Sequence, residues 1–244
     1  MATSSGKYGK APIVEAVIDI RIARRPGLAF SDLRPLHETE KARYPVLRED
    51  IQIVQEFSSD DSRETTKKTK IGYMLRSADD KRVVQAQTGG FTFSWLAPYD
   101  TWGTFRKEAL RLWAQYVALT SPTAITRMAV RYINRLDLPQ PVEDLRRYVN
   151  VGPDAPPSLL AETEAFLLQL RSPQRDAGAN LIMNVARVDP PSPDVVSIIL
   201  DLDLYDDTPP KELTDVGDRI EVLHARVESI FEQLITEDTR ALIA

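Results

Sequence analysis

The chain has 244 residues, 31 Lys and Arg against 36 Asp and Glu, a formal net charge of −5 and no cysteine. No thiol can act as nucleophile, zinc ligand or disulfide partner, and two histidines, His37 and His224, cannot build a multi-histidine metal site. An acidic chain whose apolar runs fall far short of the roughly 20 residues of a membrane helix argues against membrane insertion and against unspecific binding to nucleic acid.

Residues 1–11 are small and polar and read as a flexible arm, without the hydrophobic segment of a secretory signal. With no cysteine, this favours a cytoplasmic protein. From Pro12 the pattern alternates: Ala16, Ile18, Ile20 and Ile22 share one face of a strand, and Glu15, Val17, Asp19 and Arg21 share the other. Ser31 or Asp32 can cap a helix reaching about Tyr44, where Pro45 stops it. Ile51 to Phe57 alternates again, and residues 58–69, rich in Ser, Asp, Thr and Lys, read as an exposed loop. Strands are expected over Ile71–Arg76, Arg82–Thr88 and Phe91–Leu96, with turns at Asp79-Asp80 and Gly89-Gly90. Asp100 then caps a long helix to about Leu119, whose apolar stripe includes Phe105, Ala109, Leu112, Trp113 and Tyr116.

The second half opens on a long strand, Ile125–Leu138. Thr126, Met128, Val130, Tyr132, Asn134 and Leu136 fall on one face; Arg127, Ala129, Arg131, Ile133 and Arg135 fall on the other. A short helix over Val142–Tyr148 and a proline-bearing connector over 149–158 follow. Leu159–Leu170 fits either a helix or a strand start. Leu181–Val188 and Val195–Tyr205 read as strands, and a last helix runs from about Pro210 to Leu234, with Thr236 capping a final turn. The halves match in element order: strand, short helix, antiparallel strands, long helix. The expectation is a single α+β domain over 12–244, with pseudo-repeats at about 12–122 and 123–244. It would be a curved antiparallel sheet packed against two long helices. That arrangement resembles the helix-grip and TATA-binding-protein-like folds, a likeness that says nothing about function.

Scarce glycine (10 residues) accompanies the absence of the P-loop, dinucleotide-binding and nucleophile-elbow patterns. The chemistry-bearing candidates sit instead on strands. Glu15, Asp19, Arg127, Arg131, Asn134, Arg135, Asp201 and Asp203 make a mixed-charge sheet face suited to a ligand or partner. The charge is also uneven, +4 over residues 1–122 and −9 over 123–244, which suits attraction between halves or between chains. Asp201 and Asp203 point the same way on a strand and are the one pair with metal potential. His37 reads as a surface residue and His224 as the edge of a packed face. Trp95, Tyr99, Trp102, Phe105 and Trp113 cluster near the start of the first long helix, as core or as a ligand pocket.

Ala11-Pro12-Ile13-Val14-Glu15-Ala16-Val17-Ile18-Asp19-Ile20, Arg131-Tyr132-Ile133-Asn134-Arg135, and the closing helix with Leu223-His224, Phe231 and then Thr236 carry a family resemblance. Over nearly the whole chain they resemble a sporadically distributed prokaryotic family of uncharacterised proteins of about 250 residues. The resemblance implies that Pro12, Glu15, Arg131, Asn134 and Arg135 belong to a recurring pattern. It brings no activity, cofactor or catalytic residue. The missing catalytic signatures favour a binding or protein-interaction module, self-associating or serving a protein partner, with no cofactor. A metal-dependent enzyme on nucleotides or nucleic acid and a small-ligand carrier are the alternatives.

Overall fold

The alternation of Ala16, Ile18, Ile20 and Ile22 with Glu15, Val17, Asp19 and Arg21 makes one strand, β1 (Ile13–Ala23), the two-faced centre of the sheet. The chain is described as a computed structural model over residues 8–58, 63–154, 163–209 and 213–244. The further strands are β2 (Val46–Ser58), β3 (Arg63–Arg76), β4 (Arg82–Gln87), β5 (Gly90–Leu96), β6 (Ala124–Pro139), β7 (Leu167–Gln174), β8 (Ala179–Val188) and β9 (Val195–Asp206). The helices are α1 (Arg34–Glu40), α2 (Trp102–Thr120), α3 (Val216–Leu234) and α4 (Glu237–Ile243). All described strands join one antiparallel α+β sheet of nine strands, in the order β2-β3-β4-β5-β1-β6-β9-β8-β7.

One face is apolar and carries the helices. Ile18, Phe93, Val130 and Leu202 are buried there with Phe105 and Leu112 of α2 and Leu223 and Val227 of α3. Helix α2 rests on β5, and α3 on β6 and β9. Four tightly packed rings (Trp95, Tyr99 and Trp102 around Phe105) seat the start of α2, while Trp113 packs further along against Phe91 and Tyr116. The buried charge on this side is clamped: Arg111 grips Glu40 of α1 through two donors, and Gln115 adds a third. The Arg111 hydrogen bonds hold the Glu40 carboxyl below the usual value. Among the described residues no helix is long and apolar enough to cross a membrane.

Several expected boundaries move, each for a local reason. The helix expected over 31–44 is a single 3-10 turn, Phe30–Leu33, followed by α1. Its start is held by the Asp32 carboxylate, which accepts from Ala29 N–H at 3.0 Å, and it stops at Glu40, whose carbonyl accepts from both Arg43 and Tyr44. The loop expected over 58–69 is strand from Arg63 onward, because β3 pairs with β2 along its length; residues 59–62 lie outside the described residues. Thr101, not Asp100, caps α2, accepting from Thr104 N–H at 3.3 Å. Thr126 is exposed and does not join the buried face, since a register shift between Arg21 and Ile22 puts Ile125 inside instead. Val142–Tyr148 forms only a 3-10 turn at Leu145–Arg147, after which Val149 bridges to Ile235. The ambiguous 159–170 segment resolves as the start of β7 from Leu167. Its residues 159–162, the connector's 155–158 and the helix start at 210–212 lie outside the described residues. Of the expected arm, 1–7 also lies outside them. Lys10 N–H donates to Ile243 O at 3.0 Å, and the Tyr8 hydroxyl to Glu232 at 2.8 Å. His37 is buried rather than exposed, seated on the core side of α1.

Gly72 shows how tightly the sheet is drawn. A Cβ there would lie 2.1 Å from Ala86 O and 2.7 Å from the Gln87 Cα, both backbone atoms that cannot swing aside. Gly72→Ala is therefore expected to lower the unfolding free energy by about 1–3 kcal/mol in chemical denaturation, the cost of overpacking.

Candidate functional site

The outer sheet face is built from the polar half of each strand's alternation. Across the first five strands one row reads Arg21, Gly90, Gln87, Gly72, Asp50 in register. Glycine alternates with a long polar residue. With no side chain at Gly90 or Gly72, each polar group reaches its next neighbour over the intervening strand. Arg21 Nη1 donates to Gln87 Oε1 at 3.2 Å, and Gln87 Nε2 donates to Asp50 Oδ2 at 2.7 Å.

The row continues through β1 into the second half. Arg21 Nε donates to Asp19 Oδ1 at 3.0 Å, and the Thr92 hydroxyl to Asp19 Oδ2 at 2.8 Å. Arg127 of β6 donates through Nη1 to Asp19 at 2.9 Å and through Nη2 to Asp203 at 2.8 Å, stitching β1, β6 and β9. Its guanidinium lies 4.7 Å over the Tyr205 ring. A second row begins at Arg131, which grips Asp201 by a fork, Nε and Nη2 each at 2.7 Å. Asn184 of β8 donates to the same carboxylate at 2.9 Å, and Gln169 of β7 donates to Asn184 at 2.8 Å. Arg135 donates to Asp137 at 2.9 Å and to the Ser197 hydroxyl at 2.8 Å.

Electrostatics follow burial. Burial pushes the Asp203 carboxyl above its ordinary value, against the pull of Arg127 and Arg131. The Arg131 guanidinium is held charged more firmly, chiefly by its hydrogen bonds to Asp201. Beside the first row, over β3, β4, β5, β1 and β6, lies a polar concavity of about 460 Å³, lined by Glu15, Asp19, Gln85, Ser94, Arg131 and Asp203 among others.

The structure thus brings together Glu15, Asp19, Arg127, Arg131, Asp201 and Asp203, and places Arg135 further along the same face. Asn134 is elsewhere: its period-two position turns it inward, where it is buried and donates to Leu200 O at 3.2 Å. It lines a small cavity under α3 with Tyr132 and His224. Gln87, Asp50, Asn184 and Gln169 escape a sequence reading because their partners depend on strand order. His224 had a signal: it lies four residues after Ile220 and one after Leu223, both on the buried stripe of α3. It is buried, stacked on Trp102 with centroids 3.9 Å apart. Among the described residues no group of three or more His, Cys, Asp or Glu could hold a metal ion. The carboxylates of Asp201 and Asp203 each receive arginine donors instead.

No family model and no curated protein matches this chain.

Arg127→Leu is expected to destabilise the fold by about 2 kcal/mol at neutral pH, because Asp19 and Asp203 lose their shared counter-charge. The folded-state pKa of Asp203 already lies above its unfolded value, and removing Arg127 raises it further. The deficit should therefore shrink as pH falls and the carboxyl takes up a proton, which denaturation curves at a series of pH values would show.

Proposed function

We propose that the protein is a non-catalytic binding module whose outer sheet face docks a protein partner. The observation that carries this reading is a pair of polar rows that together cross the sheet, one from Asp50 on β2 to Asp203 on β9 and one from Arg131 on β6 to Gln169 on β7. Charges fixed in mutual pairs offer a patterned surface of donors and acceptors with little ordering left to do on binding. They also leave little uncommitted positive charge for a free phosphate or nucleic-acid backbone. A second copy of the chain is one such partner, consistent with the uneven charge of the two halves. The metal-dependent reading of Asp201 and Asp203 would require displacing Arg131 and Arg127, and among the described residues they belong to no group of three or more His, Cys, Asp or Glu that could hold an ion.

The finer architecture belongs to the same proposal. Outward from the β1–β6 joint, the strands run β1-β5-β4-β3-β2 on one side and β6-β9-β8-β7 on the other. In both directions the opening strand is central, the last strand of the half lies beside it, and the earlier ones follow outward. We read this as a curved, pseudo-duplicated sheet of the helix-grip or TATA-binding-protein-like kind, within the resembled prokaryotic family and with a cytoplasmic home.

Ser94 lines the concavity and takes no part in the rows, so Ser94→Arg blocks the face without dismantling it. Affinity capture from the native host, together with light scattering for self-association, should show a complex with the wild type. It should be lost in Ser94→Arg and in Arg131→Glu, with the unfolding midpoint of Ser94→Arg unchanged. Complexes that persist in both variants would refute the assignment to this face.

A further inference from the structure

The outer concavity is not uniform. Toward β6 and β9, Arg127 and Arg131 are held by Asp19, Asp203 and Asp201. Toward β2, β3 and β4 that mutual pairing stops. Arg48 stands opposite Met74, and Met74 opposite Gln85. Two residues along β3, Arg76 stands opposite Val83, and Val83 opposite Ser94. Directly opposed residues on such strands lie about 5 Å apart and diagonal ones about 7–8 Å. Arg48, Arg76, Gln85 and Ser94 therefore surround one patch of floor, made by Met74 and Val83.

These four groups carry uncommitted donors. Arg48 is exposed and has no side-chain hydrogen bond or ion pair among the described residues. The half-buried side chains of Gln85 and Ser94 have none either. Arg76 Nε is buried without a hydrogen-bond partner, and Nη1 reaches only Asp80, at 3.4 Å, whose side chain is 69% exposed. A buried donor without a partner needs an explanation, and an ion pair this exposed holds weakly.

Floor and charge together define what fits. Met74, Val83, Val17 and Ala129 give the concavity an apolar base. Four arginines line it against three carboxylates, Glu15, Asp19 and Asp203, and Arg48 beside Met74 adds a further cation. The nearest of those carboxylates are on β1, three strands from Arg76, or about 14 Å at normal strand spacing. Closer to the two arginines stand Asp80, in its exposed pair, and Asp50, which already accepts from Gln87. A group arriving over Met74 thus meets N–H donors from β2, β3 and β4 with aliphatic surface beneath. An anionic acceptor on a short apolar stem satisfies both.

We propose that this wall is a site for an acidic peptide side chain, filled by a glutamate of the docked partner. The proposal rests on the reading of the outer face as a protein-docking surface and names the chemistry that surface recognises. The carboxylate accepts from Arg48, from Arg76 Nε and from Gln85 Nε2. The glutamate methylenes and an aliphatic neighbour lie on Met74 and Val83.

The test is an NMR titration of the Gln85 and Ser94 amide signals with acetyl-Leu-Glu-Leu-amide at millimolar concentration. The matching Leu-Gln-Leu and Leu-Lys-Leu peptides and inorganic phosphate are the comparators. A saturable shift is expected with the glutamate peptide, and binding of the glutamine peptide should be about tenfold weaker, since its amide forgoes the charge-assisted hydrogen bonds. The lysine peptide and phosphate should be weaker than the glutamate peptide as well. Arg48→Gln and Arg76→Gln should each weaken the glutamate peptide severalfold and leave the glutamine peptide unchanged, so the preference between them falls. Arg48 is exposed and unpaired, so its variant carries the test if Arg76→Gln does not fold. No saturable response to the glutamate peptide, an equal response to the glutamine peptide, a stronger one to phosphate, or a preference unchanged in the folded variants would overturn the proposal. The two readings fail separately. A host complex that is lost in Ser94→Arg, without any preference for the glutamate peptide, overturns the carboxylate site alone. A complex that persists in Ser94→Arg, with the preference intact, overturns the docking face instead.

Discussion

Ile18 stands opposite Val130 and Asp19 opposite Ala129 across the β1–β6 ladder, and this register decides which chemistry appears on each side of the molecule. A strand repeats every two residues, so a slip of one position would exchange its faces. Asp19 would then point into the helices, and Ile18 and Ile20 into solvent. Burying those isoleucines is worth a few kcal/mol in total, and exposing Asp19 to the core would cost more, so the alternative is shut out. Both halves of the sheet grow outward from this joint, and every later strand inherits its facing from it.

The inherited facing explains how one thin sheet supports two unlike surfaces. Toward α2 and α3 the side chains close-pack, and the few polar groups there are clamped, as in Glu40 with Arg111, or left facing a small cavity, as in His224. On the other side, charges are spent on one another across strands. Arg127 serves three strands at once because it stands between two carboxylates on its neighbours. The two glycines in the Arg21 row matter for what they leave out: side chains at those positions would separate Arg21 from Gln87 and Gln87 from Asp50.

Much of this was legible in the chain itself. Alternation located most strands, because half-buried strands must alternate. Helical spacing placed Phe105, Leu112 and Tyr116 on the buried side of α2 and Ile220, Leu223 and Val227 on that of α3. The charged face was legible in composition but not in pairing. Arg131 has Asp203 directly opposite yet grips Asp201 diagonally, a choice set by twist and side-chain reach. The extension of β3 through its Lys- and Thr-rich stretch was hidden because a solvated strand and a solvated loop share a composition. His37 was misplaced for a simpler reason, that histidine is polar by type, while the full burial of His224 was hidden because its stacking partner Trp102 lies on another helix, far away in sequence.

The placement of β1 beside β6 also has a kinetic side. Hairpins β2–β3, β4–β5, β7–β8 and β8–β9 join neighbours in the chain, and each can form with little loop to close. The central ladder instead brings Asp19 to Ala129, across most of the first half. Loop closure grows more costly with length, by about 0.6 kcal/mol per doubling, and nonlocal pairing slows folding. The seam that sets the facing of every strand is therefore the one that must wait. Until it closes, the hairpins on either side are two separate sheets, each with an open edge where β1 or β6 will stand.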